Sequence, residues 1–252
     1  MEQLGHSLSA GIARLAPGAR SGQPQGHNLR GLAGAGLGGV AVIVLSSVLL
    51  GAGWMLLPAL VGYAVLLGVI RRYLARFYPH PRFGACNAVT LWRAALVLSL
   101  LGALLAGQLA GLVLAALATV SLLLDGADGW LARRSGLVSE FGARFDMEVD
   151  AAFGLVLSLH ALAGGAPGPE VLLLGLPRYA FLLGGLLWPW MRPELPQRFR
   201  RKAICVTQLA VLILLQLPAL PREMADLAAW LAIALLLWSF ALDMVWLWRH
   251  RS

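Results

Sequence analysis

Four aspartates lie near the middle of the chain, where their type and spacing could support metal chemistry. Asp125 and Asp128 are three residues apart, and Asp146 and Asp150 are four apart, so on helices each pair shares one face. Two such helices facing each other would bring four carboxylates together. No His or Cys stands at matching spacing, and an all-oxygen set favours hard divalent cations, Mg²⁺ or Mn²⁺, which also bind phosphates. The spacing therefore predicts a site for two metal ions that act on a diphosphate.

For any single aspartate, the simpler interpretation is an ordinary solvated acid at a helix end. The surroundings of these four favour a metal site instead. A carboxylate in a bilayer costs roughly 2.5 to 3.5 kcal/mol on insertion scales, and four together also repel one another. The small residues beside them, Gly129, Ala132 and Gly142, leave room for a ligand, and Arg133 could meet a phosphate at the same level. We therefore interpret the group as a metal site in which one free carboxylate takes a proton from a nucleophile.

The composition places these residues in a membrane protein. Of the 252 residues 59% are hydrophobic and only 13% are charged, which is far more apolar than a soluble domain of this length. Eight apolar runs follow one another, at residues 34–50, 54–70, 88–107, 109–124, 143–163, 171–190, 203–220 and 225–248. We predict an all-α integral membrane protein. The first two runs are short for a span, which needs roughly 20 residues, and could form a shallow hairpin.

The positive charge indicates the orientation of the chain. The net charge is +8, and arginine carries nearly all of it because Lys202 is the only lysine. The connections before the third run, after the fourth and before the seventh are strongly basic, whereas the turns between them carry no basic residue. This alternation predicts that both termini and the aspartates face the cytoplasm. The charge suits anionic lipids and phosphorylated substrates, and no soluble segment is long enough to present a face for nucleic acid.

The aspartate segment resembles the signature of the CDP-alcohol phosphotransferase family, D-x2-D-G-x2-A-R-x8-G-x3-D-x3-D. All eight fixed positions are filled, by Asp125, Asp128, Gly129, Ala132, Arg133, Gly142, Asp146 and Asp150. The resemblance implies a six-helix membrane core, usually homodimeric, that moves a substituted phosphate from a CDP-alcohol to a hydroxyl acceptor and releases CMP. It also implies that the four aspartates bind the metals and that Asp150 is in addition the base.

A second pattern precedes the first and resembles the N-x2-T-x2-R segment that opens the core of the same family. Asn87, Thr90 and Arg93 fill it. The resemblance places Asn87 and Thr90 near the nucleotide, together with the small and basic residues of the signature, Gly129, Ala132, Arg133 and Gly142. The alternative interpretation of Asn87 is a helix cap at the membrane surface.

The family core implies a division of the chain into three parts. Residues 1–33 are expected to form a disordered cytoplasmic tail, residues 34–71 an additional N-terminal hairpin of about two helices, and residues 72–252 the catalytic membrane domain. The location is expected to be a bacterial inner or plasma membrane.

The acceptor is the least determined partner. Arg178 lies within the sixth run, and Arg200, Arg201 and Lys202 begin the seventh, where they could bind a phosphate or carboxylate of an acceptor. The alternatives are structural. Arg178 could pair with Asp243 or with a carbonyl, and the basic cluster could be a positive-inside anchor.

The leading functional hypothesis is transfer of a phosphatidyl group from CDP-diacylglycerol to a hydroxyl acceptor, in phospholipid biosynthesis. The alternative within the family uses a polar donor such as CDP-choline or CDP-ethanolamine and a lipid acceptor. A divalent-cation transporter would place its acids near the bilayer midplane with access from both sides, whereas these lie at the predicted cytoplasmic rim. An inactive scaffold would have lost motif positions, and none is lost.

Overall fold

The computed structural model describes residues 26–51, 53–78, 80, 82–109, 111–137, 139–165, 167–191 and 199–249, and in these ranges it is helical without strands. The α-helices are α1 Gly26–Leu49, α2 Leu56–Phe77, α3 Ala85–Leu105, α4 Leu112–Ser135, α5 Glu140–Ala163, α6 Leu172–Gly175, α7 Pro177–Leu187, α8 Phe199–Leu214 and α9 Arg222–Arg249. Short 3₁₀ turns occupy Gly53–Met55, Pro169–Val171 and Pro189–Met191. The all-α prediction is confirmed.

Several of these helices are long and apolar enough to cross a membrane. In the described ranges they are α1, α2, α3, α4 and α9, and a sixth crossing results if the bent pair Pro169–Gly175 and Pro177–Leu187 is one span. The two halves of that pair meet at 69°. Pro177 explains the break, because proline lacks the N–H that a continuous helix needs and its ring clashes with the preceding turn. The chain is therefore a multi-pass membrane protein, and the apolar run at 171–190 forms two helical segments with a bend between them.

Two further helices differ from the expected spans. Helix α8 ends at Leu214 rather than near residue 220, and its 16 residues extend about 24 Å, less than the roughly 30 Å of a hydrocarbon core. Helix α5 has 24 residues and is long enough to cross a membrane. Its first half carries the acids of the site, so it is not among the apolar spans named above.

The two N-terminal helices are packed into the bundle. Helix α1 begins at Gly26, so residues 26–33 extend the first apolar helix instead of belonging to a tail; the rest of the predicted tail, 1–25, lies outside the described residues. Helix α1 lies along α3, where the Trp92 indole N–H donates to the Ala35 carbonyl at 3.0 Å. Deeper in the contact the Ser46 hydroxyl donates to the Ser99 hydroxyl at 2.8 Å. With its 21-residue apolar segment, α1 is too long for a shallow hairpin.

Helix α3 is the central helix, since α1, α2, α4 and α5 all pack against it. Apolar residues lie on all sides of it, as expected for a helix enclosed by others. One exception is Arg93, which is completely buried in the middle of this helix. A cation in that position requires partners, and the neighbouring helices provide them.

The turn between α4 and α5 brings the two aspartate pairs to one end of the bundle. Gly136 ends α4 with φ +66°, a left-handed conformation that glycine adopts without steric cost. Ser139 then caps α5, and its hydroxyl accepts a hydrogen bond from the Gly142 N–H at 3.0 Å. Because the turn is short and both helices pack against α3, the end of α4 and the start of α5 lie at the same end of the bundle.

Candidate active site

The carboxylates of three aspartates converge where α4 and α5 face each other. Asp125, Asp128 and Asp146 each offer one oxygen, and these oxygens all lie within 4.8 Å of one another. Asp128 belongs to the last turns of α4 and Asp146 to the first turns of α5, so the helical phase inferred from the spacing does bring the two pairs together. The three form a ready group of hard oxygen ligands.

Arg93 joins the fourth aspartate to this group. Its Nη1 lies 3.1 Å from Asp125 and 3.0 Å from Asp128, and 2.5 Å from Asp146. Its Nη2 donates to the carboxylate of Asp150. One guanidinium therefore contacts all four carboxylates, and its planar fork fixes their relative orientation.

The four carboxylates differ in their access to the outside. Asp128 has 5% of its side chain exposed and Asp125 has 15%, whereas Asp150 has 22% and Asp146 has 36%. Asp128 is thus the most deeply buried of the four carboxylates, and the side of the site formed by α5 is the most exposed. A substrate would reach Asp146 and Asp150 first.

Hydrogen bonds from α3 hold the buried side of the site, at Asp128, in place. Thr90 donates to the Asp128 carboxylate at 3.1 Å, which leaves that oxygen between a hydroxyl and a guanidinium. Asn87 is buried, and its amide donates to the Phe83 carbonyl at 2.5 Å and to the Tyr78 hydroxyl at 2.9 Å. Burial raises the pKa of Tyr78 to about 12, so the phenol stays neutral. Asn87 lies at the third position of α3, and the residue that caps the helix is Gly84, so the cap interpretation of Asn87 is wrong.

Gly142 is the signature position whose role the geometry explains. A β-carbon there would lie 3.0 Å from the Asn87 side-chain oxygen and 3.2 Å from the Ser139 hydroxyl. Asn87 is held by its two hydrogen bonds and has little freedom to withdraw. Glycine therefore allows the start of α5, which carries Asp146 one turn later, to approach α3.

The donor set fits divalent metal ions. Four carboxylates face one guanidinium, so ionised carboxylates exceed the positive charge and further cations are needed to balance them. Carboxylate oxygens grouped at this spacing are the ligands that Mg²⁺ and Mn²⁺ prefer. Asp125, Asp128 and Asp146 are the residues that could hold such an ion, with Asp150 beside them.

The remaining signature residues are partly described. Gly129 and Ala132 are half-buried on α4, beside the first aspartate pair. The Arg133 side chain lies outside the described residues. For these three positions a role in nucleotide binding stays a prediction.

The expected acceptor residues have other contacts. Arg178, at the start of α7, pairs with Glu148 at 2.5 Å, so the alternative in which it pairs with Asp243 is wrong. Glu148 lies on α5 roughly 180° around the helix from the Asp146 and Asp150 stripe. Arg178 therefore supports the back of α5 and does not enter the aspartate cluster from this position.

Arg200 ties α8 to α9. Its guanidinium donates to the Ser239 carbonyl and hydroxyl at 2.9 and 2.7 Å and to Asp243 at 2.7 Å, and it lies over the Trp238 ring. Arg201 lies 3.8 Å from the other oxygen of Asp243, while Lys202 is exposed. Of the basic cluster, Arg200 has the most complete structural role.

The role of Arg93 was missed from the sequence. The N-x2-T-x2-R pattern marked its position but assigned it no contact. The available signal was its isolation: it is the one charged residue in the run from Ala85 to Leu105, and a lone charge in an apolar helix requires oppositely charged partners.

Comparison with known proteins agrees with this geometry. The family model described as CDP-alcohol phosphatidyltransferase matches residues 83–238, which is more than half of the chain and includes both aspartate pairs and Arg93. The match begins after α2, so the two N-terminal helices lie outside it. No curated protein and no solved structure matches the chain. With its helical membrane fold and its converging aspartates, the chain belongs to the CDP-alcohol phosphatidyltransferase family, the transferases that move phosphatidyl groups in phospholipid synthesis.

Proposed function

We propose that this chain is a metal-dependent enzyme that transfers the phosphatidyl group of CDP-diacylglycerol to a hydroxyl acceptor and releases CMP. The observation that supports it most directly is the group of three aspartate oxygens within 4.8 Å, with Asp150 held beside it, in a member of this family. The apolar helices support a lipid donor, since a diacylglycerol tail remains in the bilayer while its diphosphate reaches the end of the bundle.

The metal would be held by Asp125, Asp128 and Asp146, with Asp150 at the edge, and the expectation is two ions of Mg²⁺ or Mn²⁺. Such ions supply positive charge that stabilises the diphosphate and the departing phosphate. Thr90 and Arg93 keep the carboxylate of Asp128 in place, so the ligands are preorganised by neutral and cationic donors from α3.

Asp150 is proposed as the base. It accepts the proton of the acceptor hydroxyl while the acceptor oxygen forms a bond to the β-phosphorus, and the bond from that phosphorus to the bridging oxygen breaks, with the electron pair leaving on CMP. Arg93 holds one carboxylate oxygen of Asp150, and 22% of the side chain is exposed. This combination gives the carboxylate a defined orientation and access to a substrate.

The partners and location follow as further proposals. The nucleotide is proposed to bind near Asn87 and Thr90, the acceptor near the start of α8 with Arg201 and Lys202, and the enzyme to act as a homodimer. The basic connections support an active site that faces the cytoplasm of a bacterial inner or plasma membrane. No part of the proposal involves nucleic acid.

The reaction can be tested with purified protein. CMP release would be measured with Mn²⁺ and CDP-diacylglycerol, with serine, glycerol 3-phosphate, inositol or inositol phosphate as acceptor. A parallel series would use CDP-choline or CDP-ethanolamine with diacylglycerol. Release only in the second series would replace the donor that we propose, and no release in either would refute a transferase function.

The base can be tested by a matched pair of variants. Asp150→Asn should abolish turnover with unchanged elution and melting temperature, because an amide cannot accept the proton. Glu140→Gln makes the same change at an exposed acid at the start of the same helix and should keep wild-type turnover. Wild-type turnover in Asp150→Asn would contradict the assignment.

A further inference from the structure

A groove lies between α1 and α3, on the side of the molecule where the N-terminal helices were added to the family core. Its volume is about 620 Å³, within the range of roughly 300 to 1,000 Å³ that is usual for small-molecule sites. Gly34 and Ala35 line it from α1, Ala88 and Trp92 from α3, and Arg82 lies at its end near Leu137. We refer to this space as the α1–α3 groove.

The α1–α3 groove is separate from the aspartate site. At 100° per residue, Ala85, Ala88 and Trp92 lie within roughly 60° of one another on α3. Asn87, Thr90 and Arg93 are centred roughly 170° away on the same helix. Helix α3 therefore stands between the groove and the carboxylates, and a molecule in the groove would not be the one that reacts.

The walls of the groove are apolar and its end is basic. Helices α1 and α3 are both candidate membrane spans, so in a bilayer the part of the groove between them would face acyl chains. Gly34 and Ala35 provide no side chain that would fill it. Arg82 is exposed, and within the described residues no carboxylate pairs with it.

A second arginine adds to the charge at that end. A β-carbon on Gly31 would lie 3.1 Å from the β-carbon of Phe83, so this turn of α1 lies against the residue that follows Arg82. Arg30, the exposed neighbour of Gly31, belongs to the same level. The groove thus combines an apolar body with unneutralised guanidinium charge, and guanidinium groups bind phosphate oxygens well.

We infer that the α1–α3 groove binds an anionic phospholipid of the surrounding bilayer, with the phosphate at Arg82 and an acyl chain along Gly34, Ala35 and Trp92. The lipid would contact both the added helix and the central helix, and would stabilise their contact. The added N-terminal segment would then make the stability of the protein dependent on anionic lipid. This inference does not depend on the donor or acceptor of the reaction.

The full chain in a nonionic detergent, freed of bound lipid, would be titrated with phosphatidylglycerol, with phosphatidylcholine of the same acyl chains, and with inorganic phosphate. Phosphatidylglycerol should raise the melting temperature saturably and more than phosphatidylcholine, and inorganic phosphate should have no effect because it lacks the acyl chain. Equal shifts with both lipids, or the full shift with inorganic phosphate, would overturn the inference.

Two variants locate the effect. Gly34→Leu adds a side chain to a residue that lines the groove, at a position where no atom lies within 4 Å of a β-carbon, and it should remove the phosphatidylglycerol shift. Gly68→Leu is the matched control, since a β-carbon there is equally free and the residue lies on α2 outside the groove. Arg82→Gln should reduce the shift with phosphatidylglycerol to that with phosphatidylcholine. If both Gly34→Leu and Arg82→Gln kept the full shift, the lipid would bind elsewhere.

Discussion

Replacing Arg93 by methionine tests whether this buried cation holds the aspartates together. Methionine fills a similar volume but supplies no positive charge. The Arg93 guanidinium lies 3.0 Å from the Asp128 carboxylate. At that distance the attraction within one ion pair is about 5 kcal/mol at an effective dielectric constant near 20. The cost of burying both groups must be subtracted from it. Removing one member of a buried pair destabilises proteins by about 3 to 5 kcal/mol.

Arg93 contacts four carboxylates, but Asp146 and Asp150 are partly exposed and screened. We therefore expect Arg93→Met to lose about 3 to 5 kcal/mol, the cost of one buried pair, when no divalent cation is present. For a chain of this size the loss corresponds to a fall in melting temperature of about 6 to 20 °C.

The assay is a thermal melt of purified protein, first in EDTA and then with Mn²⁺. Mn²⁺ should raise the melting temperature of Arg93→Met more than that of the wild type, because the ion provides the positive charge that the substitution removed. Arg72→Gln is the control, since it removes an exposed arginine from the end of α2 and should leave the melt unchanged. If Arg93→Met melted within about 2 °C of the wild type in EDTA, the role of Arg93 as counterion would be refuted.

Two further predictions concern the helices around the site. Gly142→Ala should lower turnover at least tenfold by pushing α5 away from Asn87, and it should cost little stability because the gain in helix propensity, about 1 kcal/mol, offsets part of the strain. The control is Gly126→Ala, whose β-carbon meets nothing within 4 Å and which should retain turnover. Equal rates in the two variants would contradict this reasoning. Arg200→Met should lower the melting temperature with an unchanged KM for the acceptor. Adding Asp243→Leu should restore part of the stability, because it removes the buried acid that has lost its closest cation. A raised KM with an unchanged melt would instead make Arg200 an acceptor ligand.

The aspartate cluster shows how far local sequence can predict a site. The spacing of three and four residues is a property of one helix turn, so the phase of each pair could be predicted without knowing the fold. The turn at Gly136 and the cap at Ser139 are also local, and they place the two pairs at the same end of the bundle. Because the connection is short and both helices pack against α3, the end of α4 and the start of α5 stay at the same level.

Other parts of the site could not be predicted in this way. The contact between Arg178 and Glu148 depends on the break at Pro177, which redirects α7 by 69° from the preceding helical segment. Proline marks such a break, but its position does not give the direction in which the chain continues. The sequence interpretation left an acceptor, Asp243 or a carbonyl open as the partner of Arg178 and did not include Glu148.

By itself, the sequence determined the helical membrane fold, the reaction family and the four aspartates, because hydropathy, helical period and signature spacing all act over a few turns of chain. Only the tertiary structure decided that Arg93 is the shared partner of all four aspartates, which lie 32 to 57 positions further along the chain. It also decided that α1 packs along α3 and leaves a groove there. Both results depend on which faces of distant helices meet, and that is settled by how the whole bundle packs rather than by any one segment.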